Sequence, residues 1–145
     1  MDRNFHRTTV SFTTLCYAMG QTLDEAKKHI QDFGNQENLS INEFYSFIMS
    51  VSKGKEKNHL FILYGVVPEN TKGNKTVQIV KLKHQNFISF NLSQEEYLSF
   101  GEGTINDEFD AFFKHEKIKW DMSFVYALIK EHDNHYQVLM PYRDE

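Results

Sequence analysis

Two histidines, His132 and His135, bracket an Asp-Asn pair, and an H-x-x-H spacing is one way to begin a metal site. Zinc needs three or four convergent ligands. No cysteine is close in sequence, and a polar turn holds neither imidazole toward a common point. A solvated turn explains the pair better, so no metal is expected. His6, His29, His59, His84 and His115 show no ligand spacing. Asp107, Glu108 and Asp110 could supply a general acid or base, but they open a helical pattern, where the dipole favours carboxylates without any catalysis. Cys16 is the single cysteine. In its apolar run it reads as a small buried hydrophobe rather than a reactive thiolate. Gly101-Glu102-Gly103 has no third glycine and an acidic centre, so it reads as a hinge rather than a phosphate cradle. These residues imply no catalytic group and no cofactor.

The tyrosines say more. Tyr17, Tyr64, Tyr97, Tyr126, Tyr136 and Tyr142 all fall in expected strands or at their ends. Tyrosine buries a ring but needs a partner for its hydroxyl, which suits the half-wet wall of a groove. In residues 123–129, Val125, Ala127 and Ile129 form one strand face, fit to lie under a helix. Phe124, Tyr126 and Leu128 form the other, which would face a groove. Tyr17, Tyr64, Tyr97, Phe124 and Tyr126 are therefore the candidate ligand-binding walls, with Trp120 at the rim. The bland alternative, a core or homodimer seam, has the same composition.

Those positions depend on the elements that carry them. The chain has 145 residues and net charge −4, one domain by size. Aromatic residues are 14% of it, including 13 Phe, which leans toward a sheet-containing fold. Lysines are scattered among carboxylates, so no basic stripe marks a nucleic-acid partner. The start lacks the apolar core of a signal peptide and no window is long enough to span a membrane, so a cytoplasmic protein is expected.

Residues 9–19 read as a first strand ending at Gly20. Thr22 and Glu25 form a capping-box signature for a helix, with Leu23, Ala26, Ile30 and Phe33 at helical spacing and Gly34 as its C′ residue. Residues 41–51 are ambiguous. Ser40 and Glu43 match a second capping box, yet Tyr45, Phe47, Met49 and Val51 alternate as in a strand. The strand is preferred, because residues 52–58 then loop into the clear strand HLFILYGVV, which Pro68 ends. Residues 76–82 read as a bridging strand, 87–92 as extended and 95–100 as a strand. Residues 105–120 read as a helix, and 123–132 with 136–143 as a closing hairpin. The expected architecture is α+β. Two β-α-β-β halves, residues 9–68 and 87–143, form one curved antiparallel sheet, with two helices on one face and a groove on the other.

The C-terminal half resembles the gyrase-inhibitor-like effector-binding domain. That family has a strand reading roughly Ile-Pro-Ala-Gly-x-Tyr-x-x-Phe that ends at a glycine, and a last strand ending in an apolar-Pro pair. Leu92, Tyr97, Phe100 and Gly103 match the first pattern and Met140-Pro141 the second, over about the last fifty-five residues. The resemblance implies paired β-α-β-β units around a groove for hydrophobic, often cationic, small molecules. The family often places a glutamate two residues before the tyrosine of the penultimate strand. Here Phe124 stands there and only Tyr126 carries over. The chain is also similar to small proteins encoded beside type VII secretion toxin clusters.

The expected function is a stand-alone, non-enzymatic binding module whose aromatic groove takes an apolar or planar small molecule. The alternative is a protein-interaction module that receives a secretion- or toxin-associated partner or a second copy of itself. A hydrolase is the weakest reading.

Overall fold

Thr22 begins the first helix as the capping signature predicts. Its Oγ1 accepts from the Glu25 amide at 3.1 Å, and the Glu25 carboxylate accepts from the Gln21 amide at 3.2 Å. A computed structural model describes residues 4–53, 56–98 and 103–145. They form a mostly antiparallel, sheet-dominated α+β protein with three helices among the described residues. The chain packs as two compact units. One is Phe12–Lys83, and the other joins Met1–Ser11 to His84–Glu145.

In the Phe12–Lys83 unit the order is β2 (Thr14–Gly20), α1 (Leu23–Glu37), β3 (Phe44–Lys53), β4 (Glu56–Val66) and β5 (Gln78–Lys81). The ambiguous segment is strand β3: it pairs with β4 along its whole length, and the alternating aromatic pattern prevails over the capping match. β4 lies between β3 and β2, and β5 adds to the far side of β2 as an antiparallel neighbour. Helix α1 continues past Gly34 and ends at Asn38, which takes the left-handed conformation at φ 59°. Asparagine tolerates that conformation through its short polar side chain. α1 buries Ala26, Ile30 and Phe33 against Cys16, Ala18, Leu63, Val67 and Val77. Gly65 allows this approach, since a Cβ there would lie 2.7 Å from Ile41 Cγ2 and 3.3 Å from Cys16 Sγ.

The other unit holds β1 (His6–Thr9), β6 (Asn86–Leu92), α2 (Gln94–Leu98), α3 (Gly103–Glu116), β7 (Ile118–Trp120), β8 (Leu128–His132) and β9 (His135–Asp144). β9 lies between β8 and β6, β1 extends the sheet beyond β6, and β7 pairs with the end of β9.

Four expectations are corrected here. The first strand is two strands, β1 and β2, separated at residues 10–13; β1 pairs with β6 and β2 with β4. Tyr97 lies on helix α2 rather than on a strand, because Ser93 and Glu96 close a reciprocal capping box at 3.2 and 2.9 Å. Helix α3 stops at Glu116, since Lys117 turns left-handed at φ 57°, and Ile118 and Trp120 join strand β7. The closing hairpin begins only at Leu128, which leaves Phe124 and Tyr126 in the preceding turn. Of the expected Gly101-Glu102-Gly103 hinge, Gly101 and Glu102 lie outside the described residues, as does Phe100, and Gly103 opens helix α3.

Candidate functional site

A strand exposes successive side chains on opposite faces. Cys16 and Ala18 of β2 and Leu63 of β4 meet helix α1, so Tyr17 and Met19 of β2 and Ile62 and Tyr64 of β4 face away from it. The register sets Tyr45, Tyr64, Tyr17 and Gln78 side by side across β3, β4, β2 and β5. Four strands thus present one transverse row on the helix-free face. Tyr17 and Tyr64 have ring centroids 5.7 Å apart, and the Tyr17 hydroxyl donates to Gln78 Oε1 at 2.9 Å. Phe12 packs against Tyr45 at 5.5 Å.

Burial changes along the row. Tyr45 and Tyr64 are buried, Tyr17 is half-buried, and Met19 beside it is 50% exposed. Burial pushes the Tyr45 phenol up to about 12, reinforced by the charge of Glu43 and a hydrogen bond to it. Tyr45 and Tyr64 form a fixed floor and Tyr17 an accessible end. Aromatic cross-strand neighbours of this kind stiffen a sheet as well as line it.

The remaining candidates lie in the other unit. Trp120 donates its indole N–H to the Tyr126 carbonyl and sets its ring edge-on to Phe109 at 5.6 Å. Phe124 meets His84 edge-on at 4.9 Å and Phe87 at 6.4 Å. Tyr97 stacks on Tyr136 at 3.9 Å, with ring planes 6° apart. Tyr136 pairs with Leu92 on β6, five residues from Phe87, so Tyr97 and Phe124 flank opposite faces of that sheet. The structure therefore brings Tyr17 to Tyr64 and Trp120 to Tyr126, and it separates Tyr97 from Phe124.

A polar cluster that spacing did not reveal holds the Phe124 turn. The Asp121 carboxylate accepts from the Ser123 hydroxyl at 2.6 Å and the Ser123 amide at 3.2 Å, and it meets His84 Nε2 at 3.2 Å. Burial alone would raise the Asp121 carboxyl, but the bonds from Ser123 and His84 outweigh it and hold the group below its ordinary value. His84 Nδ1 accepts from the Asn86 amide at 3.2 Å, which leaves Nε2 to carry the proton. Both imidazole nitrogens are engaged, and the aspartate rather than the histidine stands in the middle. This inverts the order that an activated serine requires. His84 and Asp121 lie 37 residues apart, so only folding joins them. The local Asp-x-Ser motif was the one visible signal.

Cys16 is fully buried, and its burial pushes the thiol up to about 11, which keeps it protonated and unreactive near neutral pH. His132 and His135 stack face to face at 5.2 Å rather than converging. Among the described residues no group of three or more potential ligands could hold a metal. No helix among them is long and apolar enough to cross a membrane. No family model matches the chain, and no curated protein matches it.

Proposed function

We propose that this protein is a non-enzymatic binding module that takes an apolar or planar small molecule on the helix-free face of the Phe12–Lys83 sheet. The observation that carries this is the row Tyr45, Tyr64, Tyr17 and Gln78, closed at one end and open at Tyr17 and Met19. Tyr64 gives a rigid aromatic surface. The Tyr17 oxygen can accept, and the Gln78 amide nitrogen can donate, at the ligand's edge. Glu43, two residues before Tyr45, borders the row with a carboxylate that suits a positively charged planar compound.

The pairing pattern supports the duplicated β-α-β-β reading and the resemblance to effector-binding domains. In each unit a strand and a helix precede a hairpin, and the hairpin's last strand lies between its partner and the first strand. The engaged nitrogens of His84 and the protonated Cys16 support a role without chemistry.

A thermal-shift screen of the protein against flat neutral, flat cationic and amphipathic compounds tests this proposal. A ligand that binds only the folded state raises apparent stability by RT ln(1 + [L]/Kd). The expected result is a saturable rise that Tyr17→Ala removes and Tyr126→Ala leaves intact. A rise that survives Tyr17→Ala, or no rise across the panel, would overturn it.

One observation favours the protein-interaction reading. Met122 is 51% exposed and Tyr126 41% exposed on the turn that Asp121 and Trp120 hold in place. Aromatic and methionine side chains displayed on a fixed turn are typical anchors for a partner chain. Under this reading Met122→Ala and Tyr126→Ala abolish co-purification of a partner from the native host, and Tyr17→Ala does not.

A further inference from the structure

We infer that a second site, on the helix-bearing side of the Phe12–Lys83 unit, takes a neutral hydroxyl-rich small molecule the size of a mono- or disaccharide. A cleft of about 380 Å³ opens between the last turns of α1 and the connector that leads into β3. That volume lies within the roughly 300–1,000 Å³ of small-molecule sites. Gln31 and Asn35, four residues apart on one helix face, form one wall. Ser40 and Asn42 of the connector form the other, and Ile41 with Phe44 makes a half-buried floor.

The chemistry of this lining is specific in two respects. None of its side chains is ionisable. The four polar side chains are exposed and have no hydrogen-bond partner among the described residues. Amides and hydroxyls both donate and accept, as sugar hydroxyls do, while the floor suits the C–H face of a pyranose. The electrostatics select further. The last turn of α1 carries no basic residue, and the negative end of its dipole disfavours an anion. The same dipole favours a cation, but the lining has no carboxylate to hold one. A neutral polyol satisfies both conditions.

Gly34 gives the cleft its shape. Glycine inside a helix is unfavourable, and here it permits a close approach. A Cβ at Gly34 would lie 3.2 Å from the Leu39 carbonyl oxygen, so a side chain there requires the start of the connector to give by a few tenths of an ångström, while Ile41 Cδ1 at 3.6 Å would be in ordinary contact. The Gly34 carbonyl also accepts from the Leu39 amide at 2.8 Å, which fixes the start of the connector.

The test is a titration of the ¹⁵N-labelled full-length protein, followed by amide chemical shifts. The probes are glucose, galactose, mannose, N-acetylglucosamine and maltose, with glucosamine and glucuronate as charged controls. The expected result is saturable shifts confined to residues 30–44 with at least one neutral sugar, and much smaller shifts with the charged controls. The double variant Asn35→Ala/Asn42→Ala should raise Kd about tenfold, since each truncation removes a ligand hydrogen bond; both positions are exposed, so the spectrum stays dispersed. Absence of shifts in residues 30–44 at sugar concentrations on the order of 0.1 M, far above a millimolar Kd, would overturn the inference. So would equal binding of the charged controls. Shifts at Tyr17 and Gln78 report on the other face, so the two sites succeed or fail separately.

Discussion

Asp121 gathers three hydrogen bonds while lying largely out of solvent, and its ionisation should be visible in stability. Its folded pKa is depressed below the ordinary 3.8. The stabilisation is therefore present above that value and is lost as pH falls through the folded pKa. Asp121→Asn should lower stability at pH 7 by about 1–3 kcal/mol, the cost of losing charge-assisted bonds. It should also flatten the acid limb of a Tm-against-pH profile, and an unchanged acid limb would sink the assignment. The buried groups of the other unit titrate in the opposite direction. Cys16, raised to about 11, should resist a thiol reagent at pH 8 in the native protein and react on denaturation. As pH rises above the ordinary 9.0 toward that value, the protonated thiol's contribution to stability is lost. Ultraviolet titration should show a phenol ionising near pH 12, and Tyr45→Phe should remove it. At this scale the sequence was legible where a residue's type decides its environment: Cys16 was expected to be a buried, inert thiol. It was silent on His84, whose role rests on a partner far along the chain.

Capping-box signatures at Thr22, Ser40 and Ser93 fall among the described residues, and two of these start helices. Thr22 with Glu25 begins α1 and Ser93 with Glu96 begins α2, whereas Ser40 with Glu43 precedes a strand. A cap satisfies only a helix's first amides; the residues after it must also prefer helix. After Ser40, aromatic and β-branched residues alternate and pair with β4 along their whole length, which offsets the local signal. Thr22→Ala should cost about 1 kcal/mol in chemical denaturation by leaving the Glu25 amide uncapped. Gly65→Ala should cost more, about 1–3 kcal/mol, because the added methyl forces Ile41 off the sheet. If Gly65→Ala is neutral, the close packing of α1 and the connector over β4 is not a constraint. The overrun of α3 has a readable cause as well. Lys117, Ile118, Lys119 and Trp120 alternate polar and apolar with period two, and the buried Ile118 belongs to strand β7 rather than to the helix.

In each unit two strands are paired on both sides, β4 and β2 in one and β9 and β6 in the other, and β4 and β9 carry the longer ladders. Hydrogen exchange should therefore be slowest at the central amides of β4 and β9. It should be fast along β1 and β5, which the described pairings flank on one side only. Faster exchange in β4 than in β5 would contradict this pairing. The division of the chain also departs from a simple split into halves. The β1 segment packs with the C-terminal unit, so one unit is contiguous in sequence and the other is not. The break at residues 10–13 has no glycine or proline to announce it.

The sequence by itself determined the sheet-dominated α+β class, the start of α1, the β3–β4 hairpin and the inert state of Cys16. Each follows from residue type and short-range periodicity, and so is written locally. Tertiary structure alone decided that Tyr45, Tyr64, Tyr17 and Gln78 form one row, that Tyr97 and Phe124 flank opposite faces of a sheet, and that His84 closes on Asp121. Those neighbours are set by strand register and sheet order. A shift of one residue moves every side chain to the other face, and no spacing along the chain records which strand lies beside which.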